Sequence, residues 1–316
     1  MNEQAIDATR HINGTRSKAS GPSLVTPSNT PEVGVFVPKC FESAIQLHII
    51  KNYHAATLSP PLLLGIQGAA GEGKSFQARE ICSRMGVYVI PVSGATLSGP
   101  YEKQAVEVLE EAYVFASSVY ETKNQMTALL IDDFDMSVAS TFDDRRYTVN
   151  SQLLAGFLMN LADDPMNCGS HRTCRVPLIV TGNNFMSVHK PLTRHGRMNF
   201  FHWKPGFSEK TQIVRGIFRS VLTSNELDKI EQLVQAFGDE PISFFSSLKS
   251  DMVDEALLQT IEHSGLDSSA IAETVRTALQ SQNVAILIEQ GWKRCEAIPR
   301  NSLSDSVERI GRSHDN

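Results

Sequence analysis

The chain has 316 residues, of which 41% are hydrophobic and 20% charged, and its formal net charge is −6 at pH 7. This balance is typical of a globular protein and argues against a general nucleic-acid binder, whose affinity comes from clustered Lys and Arg on phosphates. No apolar run approaches the roughly 20 residues of a membrane span, and the five scattered cysteines suggest reduced thiols. We therefore expect a cytoplasmic protein that has no membrane partner.

The start of the chain, residues 1–32, is rich in Ser, Thr, Asn, Gly and Pro and has too few aliphatic residues to offset the entropy of ordering. We predict a disordered tail there. A transit peptide, with an organellar stroma as the location, is the alternative. In residues 33–60, apolar positions recur at helical spacing between Lys39 and Tyr53, which predicts one linker helix.

Residues 61–207 alternate short aliphatic runs with longer amphipathic stretches. The aliphatic runs are LLLGI, VYVIPV, ALLID, VPLIVTG and FFHW. This alternation predicts an α/β domain in which a parallel sheet is flanked by helices. In residues 208–299 the strand signals fade and helical periodicity takes over, so we predict a smaller helical lid domain, followed by a polar tail at 300–316.

The first aliphatic run leads into Gly68-Ala-Ala-Gly-Glu-Gly73-Lys74-Ser75, which fulfils the pattern G-x-x-x-x-G-K-[ST] between a predicted strand and a predicted helix. Gly68, Gly71 and Gly73 allow backbone N–H groups to converge on phosphate oxygens, which side chains would obstruct. We expect Lys74 to neutralise the β- and γ-phosphates and the Ser75 hydroxyl to ligate Mg²⁺. A glycine-rich turn used only for packing is the alternative, but it needs neither the lysine nor the serine.

Two carboxylates, Asp132 and Asp133, follow the run ALLI at the carboxyl end of a predicted parallel strand. Ligands of parallel sheets bind at this end. We predict that Asp132 is the outer partner of Mg²⁺ and that Asp133 orients or polarises the attacking water. For such a pair taken alone, a solvated strand end is the alternative.

The strand VPLIVT ends in Gly-Asn-Asn, and we predict that the Asn183 amide hydrogen-bonds both the γ-phosphate and the water. A turn-forming asparagine is the alternative. Beyond this strand, Arg194 and Arg197 lie three residues apart on a loop. A guanidinium suits the phosphate charge of a transition state. The position of these two residues suggests arginine fingers, which reach the nucleotide bound by a neighbouring subunit. Solvated surface arginines are the alternative.

A different motif, Cys168-x-x-His171-x-x-Cys174, offers thiol and imidazole groups that suit zinc. It supplies only three ligands, and Gly and Ser lie between them. We therefore favour a loop at this position over a metal site.

Taken together, these residues resemble the AAA+ ATPase module and, more specifically, the Rubisco activases. The resemblance is carried by PLLLGIQGAAGEGKSFQ, by IDDFD followed by RRYTVNSQLLAGFLMNLADDPMN, and by VPLIVTGNNF…PLTRHGRMNFFHW. It implies a homo-oligomeric ring, expected to be a hexamer, that hydrolyses ATP with Mg²⁺ and strips inhibitory sugar phosphates from Rubisco. It also implies that Asn183 is the sensor asparagine and that Arg194 and Arg197 act in trans.

The chain departs from the family's pattern at several places. The family commonly has Asn-Asp where this chain has Asp132 and Asp133. The family's lid carries the segment L-R-A-R, which includes an arginine that senses the γ-phosphate. This chain reads LKSD at the same place and ends the segment with Asp251. Only Lys249 can therefore replace the sensing arginine. A candidate client-facing loop at 136–146 also differs. Two alternatives therefore stay open: an AAA+ ATPase that acts on a different protein client, and an ATP-gated scaffold with weak hydrolysis.

Overall fold

A computed structural model gives the fold of most of the chain. It describes residues 22–27, 35–54, 57–97, 104–135, 149–265, 267–280 and 282–297. The candidate client-facing loop at 136–146, the C-terminal tail at 300–316 and most of the N-terminal tail lie outside these ranges. None of the described helices combines the length and the apolar composition that a bilayer span requires.

The strands form one large sheet and one small hairpin among the described residues. They are β1 (Leu63–Gln67), β2 (Tyr88–Ser93), β3 (Thr127–Asp132), β4 (Asn167–Cys168), β5 (His171–Arg172), β6 (Leu178–Gly182) and β7 (Met198–His202). The large sheet has the order β2-β3-β6-β1-β7, and all of its neighbouring strands are parallel. β4 and β5 pair with each other in antiparallel fashion.

Helices surround the sheet and continue beyond it. They are α1 (Lys39–Tyr53), α2 (Lys74–Arg84), α3 (Gly94–Leu97), α4 (Gln104–Lys123), α5 (Val149–Asp163), α6 (Lys190–Thr193), α7 (Phe207–Phe218), α8 (Ser224–Leu227), α9 (Ile230–Ala236), α10 (Ile242–Asp251), α11 (Asp254–Ser264), α12 (Ser268–Gln280) and α13 (Val284–Ala297). From α7 onward the described elements are all helical, which gives the lid.

Hydrophobic cores lie on both faces of the sheet, as continuous aliphatic strand sequences predict. Alternate residues of the strands point to opposite sides: Leu129 and Ile131 pack with α4 and α5, whereas Ala128 and Leu130 pack with α1 and α2. The lid has a core of its own, which includes Phe218 of α7. The predicted fold class, a parallel sheet between helices followed by a smaller helical domain, is confirmed.

Two segments differ from the predictions made for the N-terminal part. The helix α1 is more than a linker, because Phe41, Ile45 and Ile49 are fully buried against the sheet. Within the segment predicted to be disordered, Val25 forms an antiparallel bridge with Val89 through hydrogen bonds of 2.8 and 3.0 Å. The free edge of β2 supplies the backbone groups that order this short piece.

Candidate nucleotide-binding site

The loop between β1 and α2, residues 68–73, is called the glycine loop below. It has the backbone conformation that its glycines predict. Gly71 and Gly73 have φ values of +76° and +73°, a left-handed conformation that costs other residues energy. Gly68 is needed for a different reason: a Cβ there would lie 2.3 Å from the carbonyl oxygen of Trp203. A Cβ on Gly73 would meet nothing within 4 Å, so the loop faces open space at this point.

Lys74 connects this loop to the end of β6. Its Nζ donates to the carbonyl oxygens of Gly68 and Ala69, both at 2.8 Å, and to Asn183 Oδ1 at 2.9 Å. Burial lowers the pKa of the Lys74 ammonium, and the Asp133 carboxylate is the leading charge that opposes this shift. The structure thus brings the predicted phosphate-binding lysine and the predicted sensor asparagine into direct contact.

A row of oxygen atoms lies beside the lysine. The hydroxyl oxygens of Ser75 and Thr181 are 3.3 Å apart, and the Thr181 hydroxyl donates to Asp132 Oδ1 at 3.1 Å. The other oxygen of Asp132 is paired with Arg79 of α2. Hydroxyl and carboxylate oxygens are hard ligands of the kind that Mg²⁺ prefers, so these residues fit the predicted metal.

The sequence reading missed Thr181 and Arg79. Thr181 occupies the last-but-one position of β6, next to β3, and only the pairing of these two parallel strands brings it to Asp132. Its polarity within an otherwise apolar strand was the available signal. Arg79 had no such signal, because a basic residue on an amphipathic helix is ordinarily solvated.

Asp133 differs in conformation from its neighbour Asp132. It has a φ of +53°, which turns the chain sharply after β3 and leaves its side chain exposed. A non-glycine residue with a positive φ is uncommon, and such residues are found at functional sites. The two carboxylates are therefore separated, with Asp132 facing the hydroxyl row and Asp133 within electrostatic reach of Lys74.

A third carboxylate, Asp135, was not singled out from the sequence. It is buried, and its Oδ2 accepts hydrogen bonds from the backbone N–H groups of Asn183 at 2.8 Å and Asn184 at 2.9 Å. The side chain of Asn184 in turn accepts the N–H of Met186 at 2.9 Å. The turn that presents Asn183 is thus held by the segment that follows β3.

The two predicted finger arginines have different surroundings. Arg197 Nε and Nη2 donate to the two carboxylate oxygens of Asp163 at 2.8 and 2.5 Å, and Nη1 donates to the carbonyl oxygen of Pro191 at 2.7 Å. These hydrogen bonds lower the pKa of Asp163 and raise that of Arg197. Arg194 is exposed at the end of α6. Within one chain, Arg197 is fixed to α5 and Arg194 is presented to solvent.

A cavity of about 580 Å³ lies between the glycine loop and the lid helices α7 and α10. Its wall is largely apolar, which suits a planar base. The apolar side chains that line it are Val35, Phe36, Phe76, Ile213, Ile217 and Ile242. Lys249 also lines this cavity, but its Nζ donates to the Ile217 carbonyl oxygen at 2.8 Å and to Ser220 Oγ at 3.0 Å. The predicted substitute for the sensing arginine is therefore bonded to α7 within the lid.

The lid also touches the glycine loop directly. The Ser243 N–H, at the start of α10, donates to the Gly71 carbonyl oxygen at 2.9 Å. Lys210 of α7 lies 3.9 Å from the Glu72 carboxylate, and the Trp203 indole N–H donates to the Glu72 carbonyl oxygen at 2.7 Å. The loop is thus held by the residue that follows β7 and by two helices of the lid.

The cysteine–histidine motif spans the β4–β5 hairpin. Among the described residues, no group of three or more His, Cys, Asp or Glu side chains is placed to hold a metal ion. Cys168 lies in β4, where burial raises the pKa of its thiol to about 12, and Cys174 donates to Glu121 at 3.1 Å. The segment is a short hairpin, in agreement with the preferred prediction of a loop.

Comparison with known proteins matches both parts of the chain. Residues 64–205 match the AAA family, described as "ATPase family associated with various cellular activities", and residues 207–292 match "Ribulose bisphosphate carboxylase/oxygenase activase, AAA, helical". The chain is 35% identical over 295 residues to the ribulose bisphosphate carboxylase/oxygenase activase of Nostoc sp., covering 88% of this chain and 70% of that protein.

Two further relatives carry the same name. The chain is 35% identical over 243 residues to the protein of Anabaena sp., covering 75% of this chain and 58% of the relative. It is 32% identical over 244 residues to the chloroplastic protein of Zea mays, covering 75% of this chain and 56% of the relative. The chain therefore spans little more than half the length of these two curated relatives.

Proposed function

Because the chain belongs to the Rubisco activase family of AAA ATPases, we propose that it hydrolyses ATP to release inhibitory sugar phosphates from Rubisco. One observation supports the ATPase part above all. Lys74, Ser75, Asp132 and Asn183 come from three separate segments and meet at the carboxyl edge of one sheet. The names of the relatives support Rubisco as the client. We further propose that the protein works where Rubisco is found, in the cytoplasm or in an organellar stroma.

In this proposal, each residue has a defined task. The glycine loop and Lys74 bind the phosphates of ATP, and the apolar cavity beneath the lid receives the base. Ser75 and Asp132 would hold Mg²⁺, which when bound supplies positive charge to the phosphate oxygens. Asp133 orients or polarises the attacking water, and the Asn183 amide hydrogen-bonds the water and the γ-phosphate.

The exposed arginine completes the site from a second subunit. Arg194 faces solvent beside β7, so it is free to reach a nucleotide bound by a neighbouring copy in a ring, which we expect to be a hexamer. Arg197 is the second trans-acting candidate, and it must leave Asp163 to act in that way. A guanidinium in this position stabilises the charge that develops during phosphoryl transfer.

Two assays test the proposal in sequence. The first measures phosphate release from ATP with and without Mg²⁺, with Lys74→Ala as the control that lacks the phosphate-binding ammonium. The second measures reactivation of Rubisco carrying a bound inhibitory sugar phosphate, with and without ATP. Absence of phosphate release would refute the ATPase proposal. Phosphate release without reactivation would instead favour a different protein client.

A second candidate, an ATP-gated scaffold with weak hydrolysis, is favoured by one observation. The ammonium of Lys249 is bonded to α7 within the lid, so its charge is already partnered. A lid that does not sense the γ-phosphate would let ATP drive assembly without efficient turnover. ATP-dependent assembly measured by sedimentation, combined with negligible steady-state phosphate release, would identify this function.

A further inference from the structure

Asp135 packs tightly against the end of β6. A Cβ on Gly182 would lie 2.9 Å from Asp135 Oδ1 and 3.0 Å from its Cγ, so a larger residue there would require the Asp135 side chain to shift. From this position Oδ2 accepts two consecutive backbone N–H groups. Hydrogen bonds to a carboxylate are roughly twice as strong as neutral ones, and here they fix the two peptide groups on either side of the Asn183 Cα.

The side chain that this backbone carries is the one that contacts Lys74. Asn183 Oδ1 accepts from Lys74 Nζ at 2.9 Å, while the main chain of the same residue is bound by Asp135. A change of backbone orientation at Asn183 would therefore move its amide relative to Lys74. Asp135 itself is buried behind the turn, with 7% of its surface exposed.

We propose that Asp135 is a positioning residue for ATP hydrolysis, which holds the Asn183 backbone so that its amide stays aligned with Lys74 and the γ-phosphate. This inference rests on the proposed ATPase function. Because Asp135 hydrogen-bonds the turn that carries Asn183 and reaches Lys74 only through its charge, its loss should lower kcat far more than ATP affinity. A misplacement of about 1 Å in a positioned group costs about 100-fold in rate, which sets the expected size of the effect for Asp135→Ala.

A double-mutant cycle separates positioning from general damage. We expect Asp135→Ala to lower kcat about 100-fold in the parent, and to have almost no further effect in an Asn183→Ala background. ATP affinity is measured for every variant by titration with a fluorescent nucleotide. Full turnover in Asp135→Ala, or equal fold-losses in both backgrounds, would overturn the inference.

Two further measurements keep the test decisive. Amide hydrogen exchange at Asn183 and Asn184 should accelerate in Asp135→Ala, whether or not the protein turns over ATP. Glu226→Ala is the matched control, because Glu226 also accepts a backbone N–H, that of Val284 at 2.9 Å, but within the lid. It should leave kcat and these two amides unchanged.

The outcomes distinguish this inference from the proposed function. A parent protein that releases no phosphate refutes the ATPase, and unchanged exchange at the two amides then overturns the role of Asp135 as well. An active parent with an unaffected Asp135→Ala variant refutes only the inference. If Asp135→Ala fails to fold, Asp135→Asn keeps the shape and one acceptor oxygen, and it should show a smaller loss of kcat with the same dependence on Asn183.

Discussion

Replacement of Gly71 by alanine tests the contact between the glycine loop and the lid. Gly71, Gly73 and Gly86 share φ values of +76°, +73° and +70°, so alanine should cost about 1–2 kcal/mol at each from the backbone alone. At Gly73 and Gly86 the new Cβ would meet nothing within 4 Å. At Gly71 it would lie 3.1 Å from the Pro241 Cβ and 3.2 Å from the Ser243 Cβ, besides displacing the Ser243 hydroxyl.

The clash must move the start of α10 away from the loop. That movement weakens the hydrogen bond from the Ser243 N–H to the Gly71 carbonyl oxygen, whose net contribution is about 1 kcal/mol. We therefore expect Gly71→Ala to lower the free energy of unfolding by about 2–3 kcal/mol in total, against about 1–2 kcal/mol for Gly86→Ala. Gly86→Ala is the matched control because it carries the same backbone penalty away from the lid.

The assay is urea unfolding followed by circular dichroism, together with ATP affinity from a fluorescent-nucleotide titration. Gly71→Ala should lose stability beyond the control and should also bind ATP less tightly, since the loop and the cavity wall both shift. Gly86→Ala should lose stability only. Equal stability of the two variants, with ATP affinity retained in Gly71→Ala, would refute the conclusion that the lid rests on the loop.

Further predictions concern the charged groups. Lys74→Ala should abolish ATP binding in the same titration, because the loop then lacks its ammonium; binding at the parent's affinity would contradict its role. Arg194→Ala should spare ATP binding and lower phosphate release about 10³-fold, and Arg197→Ala should also lower it; turnover equal to the parent's would remove the finger assignment. His48 is buried, and burial lowers its pKa from 6.5 to about 4. The folded state therefore favours the neutral imidazole. Its contribution to the free energy of unfolding, on the order of 3 kcal/mol, is present above pH 6.5 and should be lost as the pH falls towards 4. Urea unfolding across this range should show a weaker pH dependence in His48→Gln than in the parent.

The sequence predicts the elements whose pattern is local. The aliphatic runs become the strands because they are buried on both faces, and α1 has the bounds Lys39–Tyr53 that its apolar spacing indicates. The glycine loop is equally readable, because its backbone conformation requires glycine at Gly71 and Gly73. Each of these features depends on residues that are neighbours in the sequence.

The features that sequence reading missed depend on contacts between distant segments. Asp135 binds a turn 48 residues away, and Arg197 meets Asp163 across 34 residues. In both pairs, the sequence around one residue contains no signal that indicates its contact with the other. The bridge at Val25 was missed for a related reason: it uses backbone groups, which every residue has, so composition does not reveal it.

The indole of Trp203 gives this protein an optical probe of its own. Its N–H is bonded to the Glu72 carbonyl oxygen of the glycine loop, and its ring packs against Phe41 behind the sheet, with centroids 5.0 Å apart. A ligand that pulls this carbonyl away changes the polarity around a buried fluorophore, which shifts its emission wavelength. The second of the two tryptophans, Trp292, is half exposed in the lid and packs on Phe237. A Trp292→Phe variant would leave Trp203 as the single tryptophan. Its fluorescence would then report ligand binding at the glycine loop in real time, without any attached dye.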